Sequence, residues 1–232
     1  MAAGRLATYP DRMKFSRSPI LFAVLMVLVG CSGGLSDDDP VRVSVEVVPD
    51  PASPGGSATL LWRFELADGW HLYWAGRNDS GYPPKIELDL PEDWIAGGLQ
   101  WPVPERYLMD GNILDHVYHG ELVLLQRVGI PADTAPGTVA ATARVGWLGC
   151  KEACVPGRAE IGFEIAVASV AGPDDDPALA AALGALPEPP SPATFDTRWE
   201  GPVFHLSAEA TRRLTFMPTE DCGDLADLVG DG

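Results

Sequence analysis

Positive charge is what this chain has least of. Its 232 residues hold 16 Lys and Arg against 33 Asp and Glu, giving a formal net charge of −17 and a pI near 4.4. Nucleic acid is bound through a basic footprint, so this balance excludes a nucleic-acid partner. Long apolar runs are scarce as well. The one that exists, Ile20 to Val29, would reach about 15 Å as a helix, half a bilayer core, which excludes a spanning segment. Four cysteines are too few for a disulfide-dense scaffold. What is plentiful is Gly (25) and Pro (22), alongside 46% hydrophobic and 21% charged residues. That composition describes an ordinary globular chain of short strands joined by many turns, neither disordered nor polytopic.

The apolar run follows Arg12, Lys14 and Arg17, the basic flank of a secretory signal, and Met13 is the more natural start of such a signal than Met1. It ends in Leu28-Val29-Gly30-Cys31, which resembles a bacterial lipobox. The expectation is a lipoprotein signal peptide over 1–30, lipidation of Cys31, and a polar tether over 31–40; the competing reading is an ordinary signal peptide with a chance cysteine. Ser32 after the cysteine leans, by resemblance to sorted lipoproteins, toward the outer membrane. Cleavage removes Arg5, Arg12, Lys14, Arg17 and Asp11, leaving 12 basic against 32 acidic residues. The exported chain is expected in the periplasm, anchored to the membrane by its acyl chains, where paired cysteines are stable.

From Val41 a β pattern starts: Val41, Val43, Val45 and Val47 alternate with Arg42, Ser44 and Glu46. Six more candidate strands follow, at 58–66, 70–74, 86–90, 122–130, 139–148 and 159–167, with Pro- and Gly-rich turns between them. None carries a helical period. The expected fold is all-β, an immunoglobulin-like β-sandwich over 41–170 with a short C-terminal extension. Residues 171–194 read as a Pro/Ala/Asp-rich linker around a short Ala/Leu helix, and 195–232 as an incomplete segment too short to bury a core of its own.

Cys150-Lys-Glu-Ala-Cys154 lies between the last two strands. Extended chain would hold the two cysteines about 13 Å apart, and a bridge needs Cα atoms within about 7 Å, so the backbone must fold back. Gly149 and Pro156 permit this, and a bridge formed here sits at the tip of a hairpin. A five-residue loop constrains the unfolded chain by at most about 2 kcal/mol, which favours a redox role over a structural one. A structural turn disulfide remains an alternative. Lys151 favours a thiolate and Glu152 opposes it. A metal site is poorly supported, because two thiolates leave zinc short of ligands and His71, His116, His119 and His205 match no ligand spacing.

Three blocks, WHLYWAGRNDSGYPPKI, WPVPERYLMDGNILDHVYHGELVL and VGWLGCKEACVPGRAEIGFEI, resemble in order the periplasmic N-terminal domain of the DsbD/ScsB family of thiol:disulfide interchange proteins. The resemblance implies an immunoglobulin-like domain with a redox disulfide near one end, carrying electrons from a membrane-embedded donor to oxidised periplasmic partners. Those partners would be thioredoxin-like or disulfide isomerase proteins. The donor domain is not among these residues. The three-residue spacing between the cysteines looks like the ScsB-type branch, and the family links the chain to cytochrome c biogenesis or copper tolerance. Carried over, Cys154 forms the mixed disulfide, Cys150 resolves it, and no cofactor is needed beyond the disulfide. Tyr118 matches the aromatic of a cap loop that covers the bridge. Asp115 or His116 falls at the cap's acidic position, a candidate for acid–base work. Cys222, among Glu220, Asp221 and Asp224, is left over and expected to react poorly. The rival reading is a non-catalytic binding lipoprotein, for copper or a protein partner, that keeps a structural disulfide.

Overall fold

The computed structural model describes residues 38–173, 175–188, 195–201, 203–208 and 217. The chain falls into two compact units, 1–34 and 35–232, and every described residue belongs to the second. The expected signal peptide, Cys31 and Cys222 lie outside the described residues. Among those described, no helix is long and apolar enough to cross a membrane.

Ten strands build an antiparallel sandwich: β1 (Val41–Val48), β2 (Ser57–Leu66), β3 (His71–Tyr73), β4 (Lys85–Asp89), β5 (Ile95–Gln100), β6 (Glu105–Met109), β7 (Ile113–His119), β8 (Glu121–Gly129), β9 (Gly137–Cys150) and β10 (Cys154–Val167). The first sheet runs β1-β2-β8-β5. The second runs β10-β9-β3-β7-β6, with β4 also paired to β9. Alternation decides what lies between them. Leu60, Trp62 and Phe64 of β2 and Leu122 and Leu124 of β8 meet Leu72, Tyr118, Val145 and Ile165 from the other sheet. Trp62 packs edge-on against Phe163, ring centroids 5.8 Å apart, and Phe64 against Trp147 at 6.3 Å.

Leu61 and Leu125 break the alternation, because the outer face of the first sheet is also covered. A helix, α1 (Pro177–Gly184), lies there, and Ala182 forms a second apolar cluster with Val48, Leu61 and Leu125. Its start is set by Asp176, whose carboxylate accepts from the N–H groups of Ala178 and Leu179 at 2.8 and 2.9 Å, with Pro177 in the first turn. This is the short Ala/Leu helix read from 171–194. Beyond it, β11 (Phe195–Glu200) pairs with β12 (Val203–Ala208).

The all-β sandwich is as expected, but its strand count is not. β5, β6 and β7 were not anticipated as strands. In β5, Gly97 and Gly98 erase the alternation, and the register with β8 shifts between Ala96 and Leu99. β6 and β7 form a hairpin through Asp110-Gly111-Asn112, where Gly111 and Asn112 take the positive φ values (87° and 61°) that the turn requires.

Candidate redox site

The longest hairpin of the fold, β9–β10, ends at the cysteines. Its register puts Cys154 directly opposite Cys150, with Cα atoms 4.1 Å apart and the sulfurs bonded. Lys151 N–H donates to the Ala153 carbonyl at 3.2 Å, closing the three-residue loop. Neighbouring pairing makes the two cysteines unequal. Cys150 is also opposite His71 of β3 and is only 3% exposed, whereas Cys154 begins an outer strand and is exposed.

The bridge lies on the outer face of the second sheet. Tyr73, Val117, Leu148 and Cys150 form a small buried cluster there, with Tyr107 packed against it. His71 is buried beside them, its ring centroid 5.3 Å from Tyr73, 5.1 Å from Tyr107 and 5.5 Å from His119. Burial, chiefly, and then the neighbouring His119 lower the pKa of His71, with Asp115 opposing them. The Tyr73 hydroxyl stands 3.9 Å from Cys154 Sγ, within donating reach of it, and a bridged sulfur has no proton to offer in return. Burial raises the pKa of Tyr73, so the hydroxyl keeps its proton at neutral pH.

The segment after β3 is held by its own polar side chains. Asn78 Oδ1 accepts from His116 N–H and Asp79 Oδ2 from Leu114 N–H, both at 2.8 Å, so this segment supplies the edge of β7 with acceptors. In return, Asp115 accepts from Asp79 N–H at 2.8 Å, Ser80 N–H at 3.0 Å and the Ser80 hydroxyl at 2.5 Å. Asp115 is fully buried, and these three donors offset its desolvation. Ser80 Oγ is in turn 3.4 Å from the Tyr73 hydroxyl. A line of polar groups, each within hydrogen-bonding reach of the next, therefore runs from Asp115 through Ser80 and Tyr73 to Cys154.

Of the residues singled out from sequence, the fold brings Cys150 and Cys154 together and links Asp115 to them through Ser80 and Tyr73. It places the other two elsewhere. Tyr118 pairs with Leu72, so its side chain points between the sheets, where its hydroxyl donates to the Pro102 carbonyl at 2.8 Å and its ring stacks on Trp101. The aromatic beside the bridge on β6 is Tyr107. His116 Nδ1–H donates to the Arg77 carbonyl at 2.8 Å and its ring packs on Trp74, while Nε2 is buried with no hydrogen-bond partner among the described residues. Burial lowers its pKa, against the pull of the Arg77 carbonyl. Sequence reasoning passed over His71, Tyr73, Ser80 and Tyr107. The signal for the first two was present: residues 71 and 73 of one strand share a face. Among the described residues, no three His, Cys, Asp or Glu side chains converge as a metal-binding group.

A strand-paired disulfide at the tip of a sandwich hairpin invites comparison with redox domains. The profile of the family "Thiol:disulfide interchange protein DsbD, N-terminal" matches residues 39–163, more than half of the chain. The chain belongs to this family. The N-terminal periplasmic domain of ScsB from Proteus mirabilis is similar in fold, with a TM-score of 0.55 at 18% identity, covering 77% of this chain and 68% of that one. The reduced DsbD N-terminal domain from Neisseria meningitidis matches at 20% identity and a TM-score of 0.36, covering 57% of this chain and 89% of that one. No curated protein sequence gives a significant match. Within the DsbD family, the Cys150–Cys154 bridge makes this a thiol–disulfide interchange domain.

Proposed function

We propose that the domain passes electrons to oxidised partner proteins in the periplasm through the Cys150–Cys154 pair. In the reduced domain the Cys154 thiolate attacks one sulfur of the partner disulfide; a Cys154–partner bond forms and the partner's other sulfur leaves as a thiolate. Cys150, having lost its proton, then attacks Cys154 Sγ. The Cys150–Cys154 bridge re-forms, the second partner sulfur departs, and two electrons have moved to the partner. The observation that carries this assignment is the unequal exposure of the bridged cysteines, Cys154 open to a partner and Cys150 buried behind it. The disulfide is the electron carrier, and no other cofactor is required.

The partners would be thioredoxin-like or disulfide isomerase proteins, and a membrane-embedded donor would reduce the bridge again. Tyr107, packed against the cluster that contains Cys150, is the better candidate than Tyr118 for the aromatic that shields it. Anchoring through acylated Cys31, at the outer membrane, belongs to the same proposal; intact mass of the membrane fraction should show acyl additions that Cys31→Ser removes. The central test is trapping. Cys150→Ser should accumulate a covalent complex with a periplasmic thioredoxin-like protein, and Cys154→Ser should not. Equal trapping by both variants would overturn the assignment, and a reduction potential below about −300 mV would mark a structural bridge instead.

A further inference from the structure

The Tyr73 hydroxyl has one proton and three polar neighbours, two of which, Ser80 and Cys154, differ in what they can become. Ser80 Oγ is 3.4 Å away and Cys154 Sγ 3.9 Å away. Ser80 cannot return a proton to Tyr73, because its own is committed to Asp115 at 2.5 Å, the shortest bond of the line. Ser80 is therefore held as an acceptor, and its backbone N–H is fixed to the same carboxylate. A bridged sulfur is a weak acceptor, and so is a thiol; a thiolate is a strong one. With its proton on Nε2, His71 donates to the same hydroxyl across 3.4 Å and leaves the hydroxyl's own proton to Ser80 or the sulfur.

We propose that Tyr73 is a two-position proton donor: its hydroxyl rests on Ser80 while Cys154 is bridged or protonated, and turns to the sulfur when Cys154 becomes a thiolate. Asp115 acts through Ser80, as a positioning residue that makes the resting position available. Tyr73, which touches the reacting sulfur, is catalytic. This rests on the interchange reading above and deepens it, by naming what stabilises the reactive form of Cys154. It also predicts that two adjacent variants act in opposite directions. Without the Tyr73 hydroxyl the thiolate loses its donor. Without the Ser80 hydroxyl the thiol form loses its competing bond and the thiolate gains by comparison.

The test is the rate at which Cys154 of the reduced full chain is alkylated by iodoacetamide, read for that cysteine by peptide mass spectrometry across pH. Only the thiolate reacts. Tyr73→Phe should slow alkylation at pH 7 about tenfold and move its pH midpoint up, the size expected for a hydrogen bond to a charged group. Ser80→Ala should accelerate it about threefold and move the midpoint down, the size expected for a neutral bond. The 78–80 backbone stays anchored in Ser80→Ala by the Asp79 and Ser80 N–H bonds to Asp115. A purely structural role for Ser80 would slow the reaction or leave it unchanged, and either result overturns the proposal. If Tyr73→Phe fails to fold, the sign of the Ser80→Ala change decides alone. Opposite signs in the two variants, in a wild type that exchanges with no thioredoxin-like partner, would uphold this proposal and sink the interchange reading instead.

Discussion

The ring of Tyr73 occupies the space where a side chain on Gly81 would begin: a Cβ at Gly81 would sit 2.1 Å from Tyr73 Cζ. Gly81 is thus a packing requirement of the site, since it lets the 78–80 segment close over the ring and bring Ser80 to the hydroxyl.

Gly81→Ala should consequently disturb the site before the fold. The methyl group must displace either the ring or the segment, at a cost of about 1–3 kcal/mol. Near-UV circular dichroism of the tyrosine region should change, while the far-UV spectrum stays that of a sandwich. An unchanged near-UV spectrum with full stability would show that the ring and segment do not pack as described.

A second prediction concerns the core. Trp62 Nε1–H donates to Gln126 Oε1 at 3.1 Å, and Gln126 Nε2 donates to the Gly97 carbonyl at 3.0 Å. Gln126 thereby satisfies a buried indole and ties β8 to the irregular strand β5. Gln126→Ala strands the indole N–H and should lower unfolding stability by about 1–3 kcal/mol at unchanged m. A loss below about 0.5 kcal/mol in urea titration would contradict it.

How much of this was legible in the chain depends on what covers each face. β1 could be read by alternation, because one face is buried and the other wet. β7 could not, because Asp115 and His116 are polar yet buried, and the groups that bond Asp115 and His116 Nδ1 lie 35 or more residues earlier in the chain, where no local pattern reveals them. The cysteine hairpin was legible, since a bridge between residues so close in sequence demands a reversal, but Gly149 and Pro156 lie in the paired strands and residues 151–153 make the turn. That Tyr107 packs against the cysteine cluster while Tyr118 points between the sheets was not legible. Which face of β7 looks toward the bridge is settled only by the pairing of Leu72 with Tyr118 and of Tyr73 with Val117.

Histidine burial gives a pH prediction. His71 and His116 both have pKa values lowered by burial in the folded chain, so below the ordinary value of about 6.5 the unfolded chain binds more protons than the folded one. Stability from both is fully present above about pH 6.5 and is lost as pH falls from there through their lowered folded values. Urea midpoints should therefore drop between about pH 7.5 and 5.5. His116→Asn, whose amide can still donate to the Arg77 carbonyl, should flatten the drop. A midpoint that rises toward acid would refute the sign.

Reduction should leave the sandwich standing. The loop closed by the bridge has five residues and contributes about 2 kcal/mol at most. Far-UV circular dichroism of the reduced protein should match that of the oxidised form, with a modest fall in urea midpoint. Cooperative unfolding on reduction would instead make the bridge structural.

The cluster around the disulfide is separate from the one that fills the space between the sheets. That separation has an evolutionary consequence. Residues such as Tyr107, His71 and the cysteines can be exchanged one by one without renegotiating the interior on which folding depends. Selection can therefore retune or discard the chemistry on this face while inheriting the same scaffold, so descendants of such a domain should diverge fastest in what they react with and slowest in how they fold.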